Sequence, residues 1–262
     1  NTQLNIAGNT TFSGNSVKST SDGYGRGGAI YNAGTLNIDS TAGNVTFSSN
    51  TASDTGKDVY LADSSIMNVT GSNTVSFQSG EGAIAGTGAI NKTGTGTFEL
   101  VNSDISSSYT GTYTQEAGTL SLDGSTMSNN FQINDGNLVL RNGSKLFLSE
   151  NGKIANGTIT VGDSITRAAG DASVLTLKNG GQIASVVDLI LRANNEVVIE
   201  TGSTTVYGGQ GGDLWAGKVT LSGGTLNYEG LDTNGQLIAT SGTLNINNGT
   251  LNIAGADSTT GA

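Results

Sequence analysis

The sequence predicts an all-β chain wound as a right-handed parallel β-helix of roughly a dozen coils. Three observations predict it. Glycine supplies 41 of 262 residues while proline is absent, so the chain has many permissive corners and nothing that forbids ladder hydrogen bonds. Apolar residues come in short alternating runs bounded by Gly, Asn, Asp or Ser, each too short for a helix. One element, Gly-Thr-Leu-Asn-Ile, keeps returning at spacings near 20 residues, the signature of stacked repeats.

The element appears as Gly34-Thr35-Leu36-Asn37-Ile38, Gly118-Thr119-Leu120-Ser121-Leu122, Gly136-Asn137-Leu138-Val139-Leu140 and Gly157-Thr158-Ile159-Thr160-Val161, and again from Gly224, Gly242 and Gly249. Alternation sends Leu36 and Ile38, or Leu120 and Leu122, to one side and the Thr and Asn between them to the other. One coil cannot bury its apolar side alone; the coils above and below must cover it. The inward set then includes Leu36, Ile38, Phe98, Leu100, Leu120, Leu122, Leu138, Leu140, Leu175, Leu177, Leu244 and Ile246. A dozen coils at the ~4.8 Å strand spacing make a rod about 60 Å long.

Composition bounds the function. Charged residues are 12 % of the chain, about half the ~25 % of ordinary soluble domains, and the net charge is −10. That balance argues against nucleic acid and against anionic membrane surfaces. With no cysteine there is no disulfide or thiolate metal site, and with no histidine the commonest general base is missing. The acids are scattered without the paired carboxylates of a glycosidase, and no G-x-S-x-G elbow occurs. The expected reading is non-enzymatic, with no cofactor. No 18-residue apolar run marks a transmembrane helix. The chain opens on Asn1 inside a strand-like pattern, with neither a starting Met nor a signal peptide, which reads as a piece of a longer protein.

In the first third, Phe12-Ser13-Gly14-Asn15 and Phe47-Ser48-Ser49-Asn50 share F-x-x-N, and Gly27-Gly28-Ala29-Ile30 lies between them. Phe12, Phe47 and Ile30 belong inside; Asn15 and Asn50 suit a turn or an asparagine ladder. Gly27, Gly28, Ala29, Ile30, Phe12, Asn15, Phe47 and Asn50 resemble the GGA(I/L/V) and F-x-x-N repeats of chlamydial polymorphic outer-membrane proteins. That resemblance implies a link to adhesion.

The middle stretch, Gly86 to Leu120, carries the longest ordered motif. It holds Gly86-Thr87-Gly88, then Lys92-Thr93-Gly94-Thr95-Gly96-Thr97-Phe98-Glu99-Leu100, Tyr109-Thr110-Gly111-Thr112-Tyr113 and Ala117-Gly118-Thr119-Leu120. It resembles the passenger-associated transport repeat of bacterial autotransporters, with Phe98 where that family usually has leucine. The resemblance implies a β-solenoid passenger exported through an outer-membrane barrel, and a chain divided as 1–85, 86–122 and 123–262 within one continuous domain. Its glycines Gly94, Gly96 and Gly111 are read as positive-φ corners between short strands.

Farther on, Val174–Leu177, Val186–Leu191 and Val197–Glu200 read as strands on successive faces, residues 163–172 as a corner loop, and 254–262 as a polar tail. Three further patterns are weighed. Gly23-Tyr24-Gly25-Arg26-Gly27-Gly28 fits G-x-G-x-x-G, but a dinucleotide site needs a helix after it and none follows, so it reads as a surface loop. Gly208 to Ala216 fits one calcium nonapeptide, with Asp213 as its carboxylate; the ion needs tandem copies, so the stretch reads as a glycine-rich corner with Trp215 packed on the stack. Tyr24, Tyr31, Tyr60, Tyr109 and Tyr113 either form a sugar- or protein-binding stripe or stack within the solenoid, and the second reading is preferred.

Together these lead to a cell-surface adhesin or structural passenger, carried outside a bacterium, with membrane contact only through a C-terminal barrel lying beyond this stretch. Its partner is a protein or glycan on a host or neighbouring cell. A self-associating matrix or filament component is the first alternative. A β-helix polysaccharide-active enzyme is the second, and a cleft lined by two acids on one strand face would mark it.

Overall fold

The computed structural model describes residues 2–20, 23–149, 152–162, 172–184, 187–207, 214–228 and 242–253. These form a parallel β-helix, and every strand pairing is parallel. The longest face begins at Gln3–Ala7 and continues through Thr35–Asp39, Ile66–Thr70, Ala89–Lys92 and Thr112–Gln115 to Thr250–Ile253. It stacks eleven strands among the described residues, or about 48 Å of rod at the usual spacing. A second face stacks nine, from Thr10–Ser13 to Leu214–Trp215. The third side changes midway. Ile30–Asn32, Val59–Leu61 and Ile84–Gly86 form it first; from Thr126–Ile133 onward Lys145–Leu148, Val174–Leu177 and Glu196–Glu200 take over. The strand Thr126–Ile133 runs through a corner, its first half pairing with Lys145–Leu148 and its second with Lys153–Ile154.

Inside, each face gives two columns of apolar side chains. On the second face Val45, Val75, Phe98, Leu120, Leu138 and Ile159 stack in one, and Phe47, Phe77, Leu100, Leu122, Leu140 and Val161 in the other. All are essentially inaccessible to water. Ten of the twelve expected inward positions are buried. Leu244 is only partly buried, and Ile246 is 50 % exposed, a correction. Their strand, Thr243–Ile246, is the last of its face among the described residues, so no further described coil stacks over it.

The glycine reading is corrected too. Gly94, Gly96 and Gly111 are not positive-φ corners; Gly86 and Gly118 are, at φ 103° and 79°. What fixes the first three is the closeness of the neighbouring coil. A Cβ would stand 2.2 Å from the Gly71 carbonyl oxygen at Gly94, 2.0 Å from that of Asn73 at Gly96, and 2.0 Å from that of Gly88 at Gly111.

One interior column is not apolar throughout. Ile38, Val69, Lys92, Gln115 and Ile133 follow one another along the longest face, and Lys92 is 1 % exposed. Its Nζ donates to the carbonyls of Gly94 and Ala117, the latter at 3.1 Å. Gln115 accepts from the Tyr113 hydroxyl at 2.9 Å and donates to the Gly118 carbonyl at 3.2 Å. Tyr109 donates to the Thr112 carbonyl at 2.6 Å. Burial lowers the Lys92 ammonium to about 8 from its ordinary 10.5, and burial raises the hydroxyls of Tyr109 and Tyr113 well above their ordinary 10.0. The unfolded chain therefore holds more protons than the folded one between pH 8 and 10.5, so stability rises with pH there. The full rise is on the order of 3 kcal/mol. Above pH 10 the unfolded tyrosines ionise while the buried ones do not, and stability falls again. Denaturant midpoints measured from pH 7 to 11 are expected to peak near pH 10. In Lys92→Met the rise should vanish and the fall remain; a wild-type profile flat from pH 7 to 10 would contradict the burial of Lys92.

Candidate ligand-binding face

The first two coils differ from the rest in length. Gln3 pairs with Thr35 and Thr35 with Ile66, separations of 32 and 31 residues, whereas Thr112 pairs with Asn130 only 18 residues on. The extra chain forms the segments around residues 18–29 and 53–58, and it gathers the F-x-x-N and G-G-A-I residues on one side of the rod.

The F-x-x-N residues build a corner from inside. Phe12 stacks on Phe47, and Phe47 on Phe77, each with ring centroids 4.8 Å apart and planes 6° from parallel. Asn15 Nδ2 donates to Asn50 Oδ1 at 2.9 Å, and Asn50 Nδ2 donates back to the Phe12 carbonyl at 2.9 Å. The expected asparagine ladder is present. In the third coil Ser79 takes the asparagine's place, its hydroxyl accepting from the Asn50 N–H at 2.9 Å.

Gly27-Gly28-Ala29-Ile30 lies in register with Gly56-Lys57-Asp58-Val59 on the next coil, since Ile30 pairs with Val59 and Arg26 bridges to Thr55. Gly27 needs its positive φ of 73°. Gly28 has no room for a side chain: a Cβ would lie 2.3 Å from the Lys57 carbonyl oxygen and 2.5 Å from that of Thr51. The two motifs meet at Asp58. This carboxylate is fully buried and accepts from Asn50 Nδ2 at 2.8 Å and from the Ser79 hydroxyl. Burial pushes its pKa up against these hydrogen bonds. Both motifs thus act as framework. Phe47, Asn50 and Ile30 are buried; Asn15 alone of the eight is exposed, on the first described coil.

The outward residues of the same coils are chemically different. Ile30 points in, so Tyr31 points out; Val59 points in, so Tyr60 is turned out. The two rings stack at 5.4 Å with 13° between their planes. Arg26 lies with its guanidinium carbon 4.1 Å from the Tyr24 ring centroid and 5.0 Å from that of Tyr60, and Nη1 donates to the Tyr60 hydroxyl at 3.1 Å. Tyr24 is 76 % and Tyr31 56 % exposed. The five tyrosines therefore divide: Tyr109 and Tyr113 stack inside as expected, while Tyr24, Tyr31 and Tyr60 form an outer patch.

Asp54 anchors the loop that carries Tyr24. Its Oδ1 accepts from the Ser19 hydroxyl at 2.7 Å and its Oδ2 from the Gly25 N–H at 3.0 Å. A groove of about 720 Å³ lies beside it, lined by Ser19, Thr20, Gly23, Tyr24, Arg26 and Thr55. The G-x-G-x-x-G residues form this loop, as expected, with no helix after them. A second groove, about 400 Å³, includes Asp54, Lys57 and Glu81. Its two acids sit on corners and not on one strand face.

Sequence reasoning reached the tyrosines but missed Arg26 and Asp54. The available signal was the in-out pair Ile-Tyr at 30–31 repeated as Val-Tyr at 59–60, which places two rings one above the other.

The calcium-type stretch lies partly outside the described residues: Gly208 to Asp213 are not among them, and Leu214–Trp215 forms a strand against Ile190 and Leu191. Among the described residues no cluster of three His, Cys, Asp or Glu is arranged to hold a metal ion. Residues 163–171 and 254–262 also fall outside the described set. No protein-family model, curated protein or solved structure is found to match the chain.

Proposed function

We propose that this chain is a non-enzymatic adhesin or structural passenger of an autotransporter-like protein, displayed on a bacterial surface. The rod acts as a spacer with one recognition face, the patch of Tyr24, Arg26, Tyr31 and Tyr60. The observation that carries this reading is local. Most of the outward surface is Thr, Ser and Asn, yet the two longest coils spend their extra residues on exposed aromatic rings around a guanidinium. Aromatic rings and arginine are the residues that concentrate binding energy at interfaces. The F-x-x-N and G-G-A-I residues support this face from beneath, which accounts for a link to adhesion without themselves touching a partner.

Bacteria carrying the full-length protein test the proposal. Wild-type cells are expected to adhere to host or neighbouring cells, and cells with Tyr24→Ser and Tyr31→Ser to lose that adherence at equal surface display. Equal adherence of the two would overturn the recognition face. Concentration-dependent self-assembly of the purified chain without any ligand would favour the matrix or filament reading instead.

A further inference from the structure

We propose that the patch binds a saccharide bearing a single carboxylate, with Arg26 holding the carboxylate and Tyr31 the sugar ring. The inference rests on the adhesive reading above and adds the class of ligand. Three features converge on it.

Arg26 has no carboxylate partner among the described residues. Asp54, the acid of the adjoining loop, is engaged by Ser19 and by the Gly25 N–H. Arg26 itself donates to the Tyr60 hydroxyl through Nη1, and its Nε is buried without a hydrogen-bond partner. A planar guanidinium held between two rings offers its remaining N–H groups as a preorganised fork, a shape that matches a carboxylate.

Tyr31 is the outer member of the stacked pair. Tyr60 covers one face of its ring, and 56 % of the residue remains exposed. A free aromatic face beside polar groups is suited to the C–H-lined face of a pyranose. The groove between supplies hydroxyls from Ser19, Thr20 and Thr55, and its volume of about 720 Å³ falls within the ~300–1,000 Å³ usual for small-ligand sites.

Net charge selects among anions. A chain at −10 repels a long polyanion along its whole length. Screening confines that repulsion to about 8 Å at physiological ionic strength, so a single carboxylate at Arg26 feels mainly the guanidinium. An acidic peptide would meet the same cation, but the described groove offers it hydroxyls in place of an apolar pocket for an anchoring side chain.

The test uses the 262-residue chain with 3′-sialyllactose, a glucuronate-ended disaccharide, neutral lactose and a glutamate-rich peptide, read by calorimetry and saturation-transfer NMR. Both acidic sugars should bind at least tenfold more tightly than lactose. Arg26→Gln should erase that preference while leaving the melting temperature unchanged. Arg26→Lys, which keeps the charge and loses the fork, should retain part of it. Tyr31→Ala should weaken acidic and neutral sugars alike, and it reports on the site even if the Arg26 variants prove unstable. Absence of saccharide binding overturns the inference, as does a preference that survives Arg26→Gln, or tighter binding of the peptide than of either acidic sugar. Whole-cell adherence separates the two levels. Adherence without sugar binding removes the ligand assignment and spares the adhesive reading; sugar binding without adherence does the reverse.

Discussion

Phe98→Ala is expected to destabilise the rod by about 3–5 kcal/mol and to open a new protease-sensitive site between Gly86 and Leu120. The side chain is wholly buried. It stacks between Val75 and Leu120 on the adjoining coils and meets the rings of Phe77 at 5.1 Å and Tyr113 at 5.5 Å. It joins two columns, so truncation leaves a void that neither coil can close alone. In a solenoid each coil depends mainly on its two neighbours, so the damage should remain near the site. Limited proteolysis with mass spectrometry of the fragments reads the position of the cut. In a passenger that folds as it leaves a pore, surface display should fall as well, while surviving folded molecules keep their ligand affinity, since the patch lies on the first two coils. A variant that displays normally, resists protease and loses binding would mean that this stretch recognises a partner and does not serve folding.

Gly96→Ala is expected to cost more than Gly14→Ala by several-fold, although of the two only Gly14 has a positive φ. Gly14, at φ 69°, has no atom within 4 Å of the point where an added methyl would stand, so alanine there bears only the backbone penalty, about 1–2 kcal/mol. At Gly96 the methyl would lie 2.0 Å from a backbone oxygen of the preceding coil. That oxygen cannot rotate away as a side chain would. Relief requires the coils to separate, which weakens the ladder between Val75–Phe77 and Thr97–Val101. Overpacking of this kind costs typically about 1–3 kcal/mol and more where backbone must move. Urea titration of both variants gives the comparison, and equal midpoints would show that local conformation outweighs coil contact.

The fold was legible because alternation and coil-to-coil contact obey one simple rule. Leu120 and Leu122 could be placed inside from sequence alone since period two admits only two faces, and the neighbouring glycines forbid a helix. The coil length was harder to read. Gly-Thr-Leu-Asn-Ile encodes a strand that is apolar on one side, and any face of the rod accepts such a strand. Thus Thr35–Asp39 lies on the longest face, Thr119–Asp123 on the second and Thr243–Ile246 on the third. The 18 residues from Gly118 to Gly136 span one coil, whereas the equal distance from Gly224 to Gly242 only carries the chain from one face to another. Between Val174–Leu177 and Val187–Leu191 the short strand Gln182–Ile183 was not foreseen, because two residues show no alternation. The candidate site was half legible. Tyr31 and Tyr60 follow from their inward neighbours, but Arg26 meets Tyr60 only through the alignment of consecutive coils, and that depends on loop lengths no local pattern reports.

Lys92 and Gln115 carry a consequence for how the coils find their partners. Columns of Leu, Ile and Val are nearly interchangeable, so a strand displaced by one whole coil would still bury apolar surface on apolar surface. Mispaired stacks would then lie close in energy to the correct one. A buried ammonium breaks this degeneracy, since it must find the carbonyls of Gly94 and Ala117, and Gln115 must find Tyr113 and Gly118. Set against Ile133 or Val69 with those acceptors out of reach, either group would be left desolvated without compensation, at a cost of several kcal/mol for the charge. The transport-repeat-like unit thus indexes the rod: it gives a monotonous stack one position that fits in only one way.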